Sequence, residues 1–409
     1  MVSKPYQWVD GAVLEEHSRK KHKVLAEYFR RYLLERCKAP IHRHFRLAVV
    51  DGFAGAGVYD GGEEGSPLIF LSTLIDTVAE INVTRAAQNM PSVEVHCLFL
   101  MNDANRDAVE LLKTNIAPLI YQAQQPGTGI ELQIQFECGE FEAMLPTFQA
   151  AIEAKKCRNI IYNLDQCGYS QVERDTITRL LASEKSVELF YTYSIQSLLT
   201  YLSQADPESL RRNLRHLGAG IDWKMVPEGM VNKTEWLGAI ERLVFDVFRR
   251  CAPFVSPFSI HNPDGWRYWF IHFANADRAR QVYNDVLHDN SSEQAHFGRA
   301  GLRMLAFNPE HEKGSLYLFD QSARETARDE LPDDIARLIH EGGDTLLVSD
   351  FYRSIYNQTP AHSDDIHSAI MDSADLEVVT SSGGERRKAH TIGRDDIIRL
   401  KKQMSFNLG

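Results

Sequence analysis

The stretch AVVDGFAGAGVYDGGEEGSPL, residues 48–68, decides the fold. An apolar run typical of a buried strand ends at Asp51, and glycines follow it at positions 52, 55, 57, 61, 62 and 65. Glycines placed directly after a strand let the backbone turn sharply and let a ligand lie against it. The stretch therefore predicts a nucleotide-like ligand at the carboxyl end of the first strand of an α/β sheet.

Strand-like and helical patterns alternate through the first 200 residues. Apolar runs of strand length are VEVHCLFLM, IELQIQFEC, RNIIYNLD and VELFYTYS. Helical patterns are RDAVELLKTNI, FEAMLPTFQAAIEA and VERDTITRLLAS, and a leading helix is expected over residues 13–36. This alternation predicts a doubly wound, Rossmann-like α/β fold with a parallel sheet covered on both faces.

Three segments are expected along the chain. Residues 1–200 would form the α/β core, and residues 201–325 would extend it with helices and strands such as GWRYWFIHFAN. In residues 326–409, three helical stretches precede LEVVTSSGGERRKAHTI, a hairpin-like segment with Ser-Gly-Gly at its tip. Three helices followed by a basic hairpin predict a C-terminal winged-helix-like domain.

Composition limits the classes of function. The chain has 409 residues and a net charge of −11, which argues against a broadly basic nucleic-acid coat but leaves local basic faces open. None of the six cysteines forms a CxxC pair, so we expect buried free thiols in a reducing compartment and no metal. The N-terminus is polar, and no apolar run approaches the roughly 18 residues of a membrane helix. We expect a cytoplasmic protein without membrane contact.

The sequence of the glycine loop indicates which nucleotide-like ligand it could bind. It lacks the Lys-Ser/Thr of a P-loop, which disfavours a triphosphate, and its G-x-G-x-x spacing is shared with dinucleotide folds. The arrangement Asp51-x-Phe53-x-Gly55-x-Gly57 resembles the first motif of class I S-adenosylmethionine-dependent methyltransferases. That resemblance implies a glycine backbone beside the methionine part of the cofactor and Asp51 near its ammonium group. The alternative is a tight strand–helix turn without a ligand.

Three segments together carry a more specific resemblance. KKHKVLAEYFRRYL, DGFAGAGVYDGGEEGSPL and LDQCGY resemble the three-Cys-motif partner family, predicted methyltransferases often encoded beside a three-cysteine protein that resembles radical S-adenosylmethionine enzymes. Their order also resembles bacterial enzymes that methylate an adenine amine in ribosomal RNA. The resemblance covers residues 15–200 and is looser beyond them. It implies S-adenosylmethionine as the cofactor and a three-cysteine protein as a partner.

The resemblance also implies cofactor-binding residues. Lys21 and His22 would meet the cofactor's carboxylate, although both could instead face solvent on an amphipathic helix. The family usually has glutamate where Met101 stands, so Asn102 or Asp103 would hold the ribose hydroxyls after a shift of one or two residues. The implied set is Lys21, His22, Asp51, Gly52, Phe53, Ala54, Gly55, Gly57, Ser66, Asn102, Asp103, Glu140, Phe141 and Asp165.

The turn after the fourth strand carries the candidate catalytic residues. NLDQCGYSQ stands where the family has a sequence like Asp-Pro-Phe-Gly. Asp165, with either the backbone or the side chain of Gln166, would orient an acceptor amine, and Tyr169 would stack on its base. Cys167 is either a nucleophile or a packed thiol near the site.

Two clusters of basic residues are candidate nucleic-acid-binding sites. Arg211, Arg212 and Arg215 form one, and Arg386, Arg387 and Lys388 form the other; each would contact phosphates of RNA or DNA or would be a solvated face. The leading hypothesis is methyl transfer to a nitrogen of a nucleic-acid base. The alternatives are an inactive subunit that scaffolds the three-cysteine partner, and a small-molecule methyltransferase.

Overall fold

The chain forms two compact units, Met1–Val286 and Leu287–Gly409. The structure is a computed structural model that describes residues 8, 11–41, 43–183, 185–202, 206–221, 233–261, 267–290, 294–296, 302, 317–318 and 321–401. The division into three segments expected from the sequence stays a prediction.

The first unit alternates helices and strands. In chain order they are α1 (Glu16–Cys37), β1 (His44–Asp51), α2 (Ser66–Ala87), β2 (Glu94–Asp103), α3 (Arg106–Ala123), β3 (Ile130–Cys138), α4 (Phe141–Ala154), β4 (Asn159–Leu164), α5 (Arg174–Leu181), β5 (Ser186–Tyr193), α6 (Ile195–Tyr201), α7 (Pro207–Asn213), α8 (Lys233–Phe248), β6 (Phe254–His261), β7 (Arg267–Ala274) and α9 (Asp277–Asp289).

Seven of these strands lie side by side in the order β3-β2-β1-β4-β5-β7-β6. The five strands from β3 to β5 are parallel, whereas β7 runs antiparallel to both β5 and β6. The parallel sheet predicted for the first 200 residues is confirmed by β1–β5, and the antiparallel β7, which comes later in the chain, makes the seven-strand sheet mixed. The chain leaves β1 first toward β2 and later returns to β4 on the other side. This reversal of strand order is the topological switch point where open α/β sheets bind ligands.

The core forms because apolar runs supply strands buried on both faces. Residues 47–51 of β1 are all buried, which is the pattern of a strand covered on both sides. Helix α2 begins after Gly65 with Pro67 in its first turn, a favoured position for proline. Among the described helices α2 is long and apolar enough to cross a membrane, but 56% of its most apolar window is buried and it packs against α1. Its apolar surface thus belongs to the folded core.

The second unit contains the elements of the predicted winged helix. They are α10 (Gln321–Glu341), β10 (Thr345–Leu347), α11 (Val348–Ile355), α12 (Ser363–Asp372), β11 (Leu376–Val379) and β12 (Ile397–Leu400), and two short strands, β8 (Gln294–His296) and β9 (Tyr317–Leu318), come before them in the chain. β10, β12 and β11 form an antiparallel sheet in that order. Arg324 makes two 2.8 Å bonds to Asp365, which fasten α10 to α12.

The predicted hairpin tip is present, but its second strand starts later than expected. Thr380 N donates to Gly384 O over 2.7 Å, and Val379 pairs with Glu385 across the tip. The chain then leaves the ladder for a short 3-10 turn at Ala389–Thr391 before β12 pairs with β11. The basic residues of this segment therefore lie between the tip and β12.

The glycine loop gives a direct test of the packing. Gly57 has a φ of +78°, and a Cβ there would lie 2.6 Å from methyl groups of Leu68 and Leu112; Gly62 has a φ of +82° and open space around it. We expect Gly62→Ala to lower the free energy of unfolding by about 1–2 kcal/mol, since only the left-handed backbone is strained. Gly57→Ala should cost about 1–3 kcal/mol more because it also overpacks the core. Urea unfolding of both variants measures the difference, and equal costs would contradict the packing described.

Candidate active site

A cavity of about 400 Å³ opens at the carboxyl ends of β1, β2 and β4, beside the switch point. Ten of the residues predicted to bind a cofactor line it: His22, Gly52, Phe53, Ala54, Gly55, Ser66, Asp103, Glu140, Phe141 and Asp165. The other four, Lys21, Asp51, Gly57 and Asn102, are not part of its wall. The structure thus brings most of the predicted set around one volume, from separate segments of chain.

Backbone hydrogen bonds fix the glycine loop at the cavity wall. Gly52 N donates to Asn163 O on β4 over 2.9 Å, and Ala54 N donates to Asn102 O on β2 over 2.8 Å. Gly55 N donates to Asp103 Oδ2 over 2.9 Å. The loop therefore spans the ends of the two strands that flank β1, which preorganises it for a ligand.

The end of β2 shows which of the two residues after Met101, Asn102 or Asp103, lines the cavity. Met101 is buried in register with Asp51, and β2 continues two residues further to Asp103. Asp103 lines the cavity, whereas the Asn102 amide is committed to Gly52 O and Gly139 O at 3.0 and 2.9 Å. Burial raises the pKa of Asp103, although two backbone N–H groups oppose that rise. The Asn102 Nδ2 group is thus a structural tie, and Asp103 is the residue at the end of β2 that offers a carboxylate to the cavity.

Asp51 lies behind the loop with its carboxylate almost inaccessible to solvent. It accepts hydrogen bonds from Phe53 N and Asn163 Nδ2, and it is also bonded to the Ser66 side chain. Burial raises the pKa of Asp51 to about 7, because these partners compensate only part of the cost of charging it. Asp51 thus titrates near neutral pH.

An ion pair joins α1 to the end of β4. Lys21 Nζ lies 2.5 Å from Asp165 Oδ1 and 3.5 Å from Thr192 Oγ1, and the lysine side chain is only 5% exposed. Burial alone would raise the pKa of Asp165, but the Lys21 ammonium outweighs it and holds that pKa below its ordinary value. Lys21 therefore faces the site's carboxylate and not solvent.

His22 offers the cavity a buried polar group. It lines the cavity, and its Nδ1 has no hydrogen-bond partner in the part of the chain that the structure describes. Burial, followed by the positive charge of Lys21, lowers the pKa of His22 to about 4. A neutral imidazole with an unsatisfied nitrogen is therefore available to a ligand. The solvent-facing alternative for Lys21 and His22 is wrong, since both side chains are buried.

Two of the three predicted catalytic residues have other partners. The Gln166 side chain is buried and makes four bonds, to Tyr191 OH, Thr192 O and the backbone N–H groups of Gln171 and Val172. It shapes the turn after β4 and has no amide group left to orient an acceptor. Of the predicted trio, only Asp165 lines the cavity.

Tyr169 lies outside the cavity wall. Its hydroxyl donates to Asn213 Oδ1 over 3.4 Å, and its ring lies 5.3 Å from that of His216. Burial lowers the pKa of His216 to about 4, so the neutral ring accepts from Tyr193 OH. Tyr169 is therefore part of an aromatic cluster against α7.

Cys167 lines the cavity as a thiol. Burial, reinforced by the negative charge of Asp165, raises its pKa to about 11. Because the thiolate is the nucleophile, this environment favours the packed thiol over the nucleophilic alternative. All six cysteines are unpaired.

The basic clusters differ in how many of their charges are exposed. Arg211, Arg212 and Arg215 are exposed on and just after α7. In the second unit, Arg386 makes two hydrogen bonds of 2.8 and 3.1 Å to the buried Asp396. Arg386 thus has a structural partner, which leaves Arg387 and Lys388 as the exposed cations of that cluster.

Sequence reasoning missed several residues of the cavity wall. Trp8 and Tyr59 lie there with ring centroids 5.2 Å apart, and Asn105 and Gln171 line it as well. No local pattern marks them, because Trp8 stands in a largely polar N-terminal segment outside any motif. Their place depends on how the chain folds back over the loop.

Comparison with known proteins gives one family match and a weak structural similarity. Residues 306–383 match the family described as the GMT-like wHTH domain. Comparison with curated protein sequences gives no match. Among solved structures, the chain is similar to an O-methyltransferase from Bacillus cereus in complex with SAH, with 13% identity, a TM-score of 0.27, and coverage of 64% of this chain and 84% of that one.

The predicted fold class is confirmed. The seven-strand mixed sheet with flanking helices is like that of a Rossmann-like methyltransferase, and a winged helix-turn-helix domain follows it. Membership of the three-Cys-motif partner family stays a prediction, as does a cytoplasmic location.

Asp51 predicts a specific pH dependence of stability. Its ordinary pKa is 3.8 and its folded pKa is about 7, so the folded state binds more protons between those values. The free energy of unfolding should therefore fall as the pH rises from about 4 to 7, by on the order of 3 kcal/mol. Asp51→Asn should remove this contribution, which urea unfolding at pH 5 and pH 8 would measure. The exposed Asp107→Asn should keep the wild-type dependence; an unchanged dependence in Asp51→Asn would show that this carboxyl is not the titrating group.

Proposed function

We propose that this chain transfers a methyl group from S-adenosylmethionine to a nitrogen of a nucleic-acid base. The observation that carries this proposal is the cavity at the switch point, where the glycine loop meets the carboxylates of Asp103 and Asp165. A small-molecule acceptor is less favoured because exposed arginines lie near this edge of the sheet.

The cavity wall fits the chemistry of this cofactor. Asp103 accepts one backbone N–H on each oxygen, and a carboxylate has further lone pairs for the two hydroxyls of a ribose. His22 Nδ1 would find a partner in the cofactor's polar groups, and the ring of Phe141 provides an apolar wall for its adenine. A volume of about 400 Å³ lies in the usual range of small-ligand sites.

The bound cofactor would supply an electrophilic methyl group on a positively charged sulfur. Transfer then requires only that the acceptor nitrogen is held in line with it. Asp165 is ionised, so it would accept an N–H bond from the acceptor amine and direct the nitrogen lone pair into the cavity. Lys21 would act as a positioning residue, because its ammonium holds the Asp165 carboxylate in place.

A nucleic-acid acceptor is supported by charge close to the site. Tyr169 follows Cys167 of the cavity wall by two residues, and its hydroxyl donates to Asn213, the last residue of α7. Arg212 and Arg215 lie beside Asn213 in the chain and are exposed. Cations near the site would hold the phosphate backbone of an acceptor while one base enters the cavity, which for a duplex requires base flipping.

One observation favours a second function. The Gln166 side chain is committed to four hydrogen bonds and Tyr169 lies off the cavity wall, so two groups expected to handle the acceptor are occupied elsewhere. A subunit that binds the cofactor without turnover, and scaffolds a three-cysteine partner protein, would have such a site.

Calorimetric titration of S-adenosylmethionine and S-adenosylhomocysteine tests the cofactor. We expect micromolar binding by the wild type and none by Gly55→Arg, whose side chain would displace Trp8 from the cavity wall. Gly62→Arg is the matched control, since Gly62 has a similar positive φ but lies in open space off the wall.

His22→Leu should weaken binding without lowering the melting temperature, because Nδ1 has no hydrogen-bond partner among the described residues. Absence of heat and of thermal stabilisation at millimolar ligand in the wild type would contradict the proposal.

Methyl transfer to RNA or DNA tests the role of Asp165. Asp165→Asn should lower the rate at saturating cofactor on the order of 10²-fold, as expected for a misoriented acceptor. Lys21→Gln removes the charge that lowers the pKa of Asp165, so the acid limb of the pH–rate profile should move to higher pH. An unmoved limb would contradict the positioning role. Cofactor binding without transfer to any nucleic acid would favour the scaffold function.

Salt dependence tests the arginines. The slope of log association constant against log salt should fall in magnitude by about 0.7–0.9 for each phosphate that Arg212→Gln or Arg215→Gln leaves without its cation. Arg158→Gln is the control, because Arg158 is exposed at the opposite end of the sheet, directly before β4. Equal slopes for all three variants would place the nucleic acid elsewhere.

A further inference from the structure

A cluster of metal-binding side chains lies at the amino edge of the sheet, away from the cavity. His44 is the first residue of β1, Glu94 is the first residue of β2, and His96 follows two residues later. His44 pairs with Glu94 in the register of the two strands, and His96 lies one pleat further along the same face. Strand pairing therefore places all three side chains together.

The three ligand atoms lie at the corners of a small triangle. His44 Nδ1 is 3.2 Å from His96 Nε2 and 3.3 Å from Glu94 Oε2, and His96 Nε2 is 3.6 Å from that same oxygen. Zinc binds histidine nitrogen and carboxylate oxygen at about 2.0–2.2 Å, so tetrahedral ligands are about 3.3–3.5 Å apart. The triangle thus has the dimensions of one face of a zinc tetrahedron.

A second carboxylate orients the central histidine. Glu131, in register with His96 on β3, has its Oε2 2.6 Å from His96 Nδ1. With the Nδ1 proton directed at Glu131, the Nε2 lone pair points at the other two ligand atoms. A carboxylate behind a histidine is the usual outer partner of a zinc-bound imidazole, because it fixes the ring and its tautomer.

We propose that His44, His96 and Glu94 bind one Zn²⁺ per chain. The cation would replace the hydrogen bond between His44 and His96 with metal–ligand bonds and would join the starts of β1 and β2. The side chains of His44 and Glu94 are 64% and 50% exposed, so the fourth position stays open to water or a small anion. The sequence predicted no metal because the cysteines are unpaired, but this donor set contains no cysteine. The proposal is independent of the methyltransferase proposal.

Zinc titration of the metal-free full-length chain, by calorimetry and by competition with a chromophoric chelator, is the experiment. We expect one ion per chain in the wild type and loss of that site in His44→Ala and in His96→Ala. Glu131→Gln should keep the stoichiometry and weaken affinity about 10- to 100-fold, as outer-partner changes do. Co²⁺ in the site should give the visible absorption of tetrahedral cobalt in the wild type and not in the two histidine variants.

His340→Ala is the matched control. His340 Nδ1 belongs to an exposed imidazole and lies 2.8 Å from Asp344 Oδ1, a histidine–carboxylate pair in the second unit. This variant should bind zinc as the wild type does. Absence of zinc binding in the wild type, or binding that survives both His44→Ala and His96→Ala, would overturn the proposal. If His96→Ala fails to fold, the exposed His44→Ala decides alone.

Discussion

The ion pair between the buried Lys21 and the half-buried Asp165 is the constraint on which the arrangement of the site depends. It joins a helix that precedes the sheet in sequence to a strand end near the middle of the sheet. Desolvating two charges is costly, and removing one partner of such a pair typically costs about 3–5 kcal/mol because the other charge stays buried. The pair therefore fixes the rotation of α1 about its axis, and His22 reaches the cavity wall as a result.

A second group of polar contacts fixes α1 further along its length. Two turns after Lys21, Tyr28 OH donates to Glu188 on β5, and His272 on β7 lies 3.4 Å from the same carboxylate. Both anchors act on one face of α1, so its position over β4 and β5 is determined at two points. The cavity consequently has a rigid wall on this side, while the glycine loop is held on the other by the ends of β2 and β4. Preorganisation of this kind lowers the entropic cost of binding a ligand.

Much of the fold could be predicted because its signals are local. The runs IELQIQFEC and FEAMLPTFQAAIEA coincide with β3 and α4, since each pattern is bounded by residues that end it. β6 is hard to predict from sequence, because Pro257 lies inside it and proline usually argues against a strand interior. Proline favours the first turn of a helix, yet α10 begins at Gln321 and buries Leu331 and Ile335 on either side of Pro332.

The residues of the site could be predicted only where they stand in a recognisable sequence motif. The glycine loop and Asp165 stand at motif positions and line the cavity, whereas choosing Asp103 over Asn102 requires knowing which way each side chain leaves β2. The role of Gln166 depends on Tyr191 and Thr192, which approach it only when β5 pairs with β4. Likewise, His44 and Glu94 are 50 positions apart in the sequence, so their proximity arises from strand register alone.

The tryptophan at the cavity has an optical consequence. Trp8 lines the cavity and stands where a side chain at Gly55 would project, whereas Trp236 and Trp269 are buried in the core. Indole emission depends on the polarity around the ring, so whatever fills or leaves this volume changes the light that Trp8 emits. The chain therefore carries its own fluorescent reporter of occupancy, placed by the backbone turn that the glycines allow.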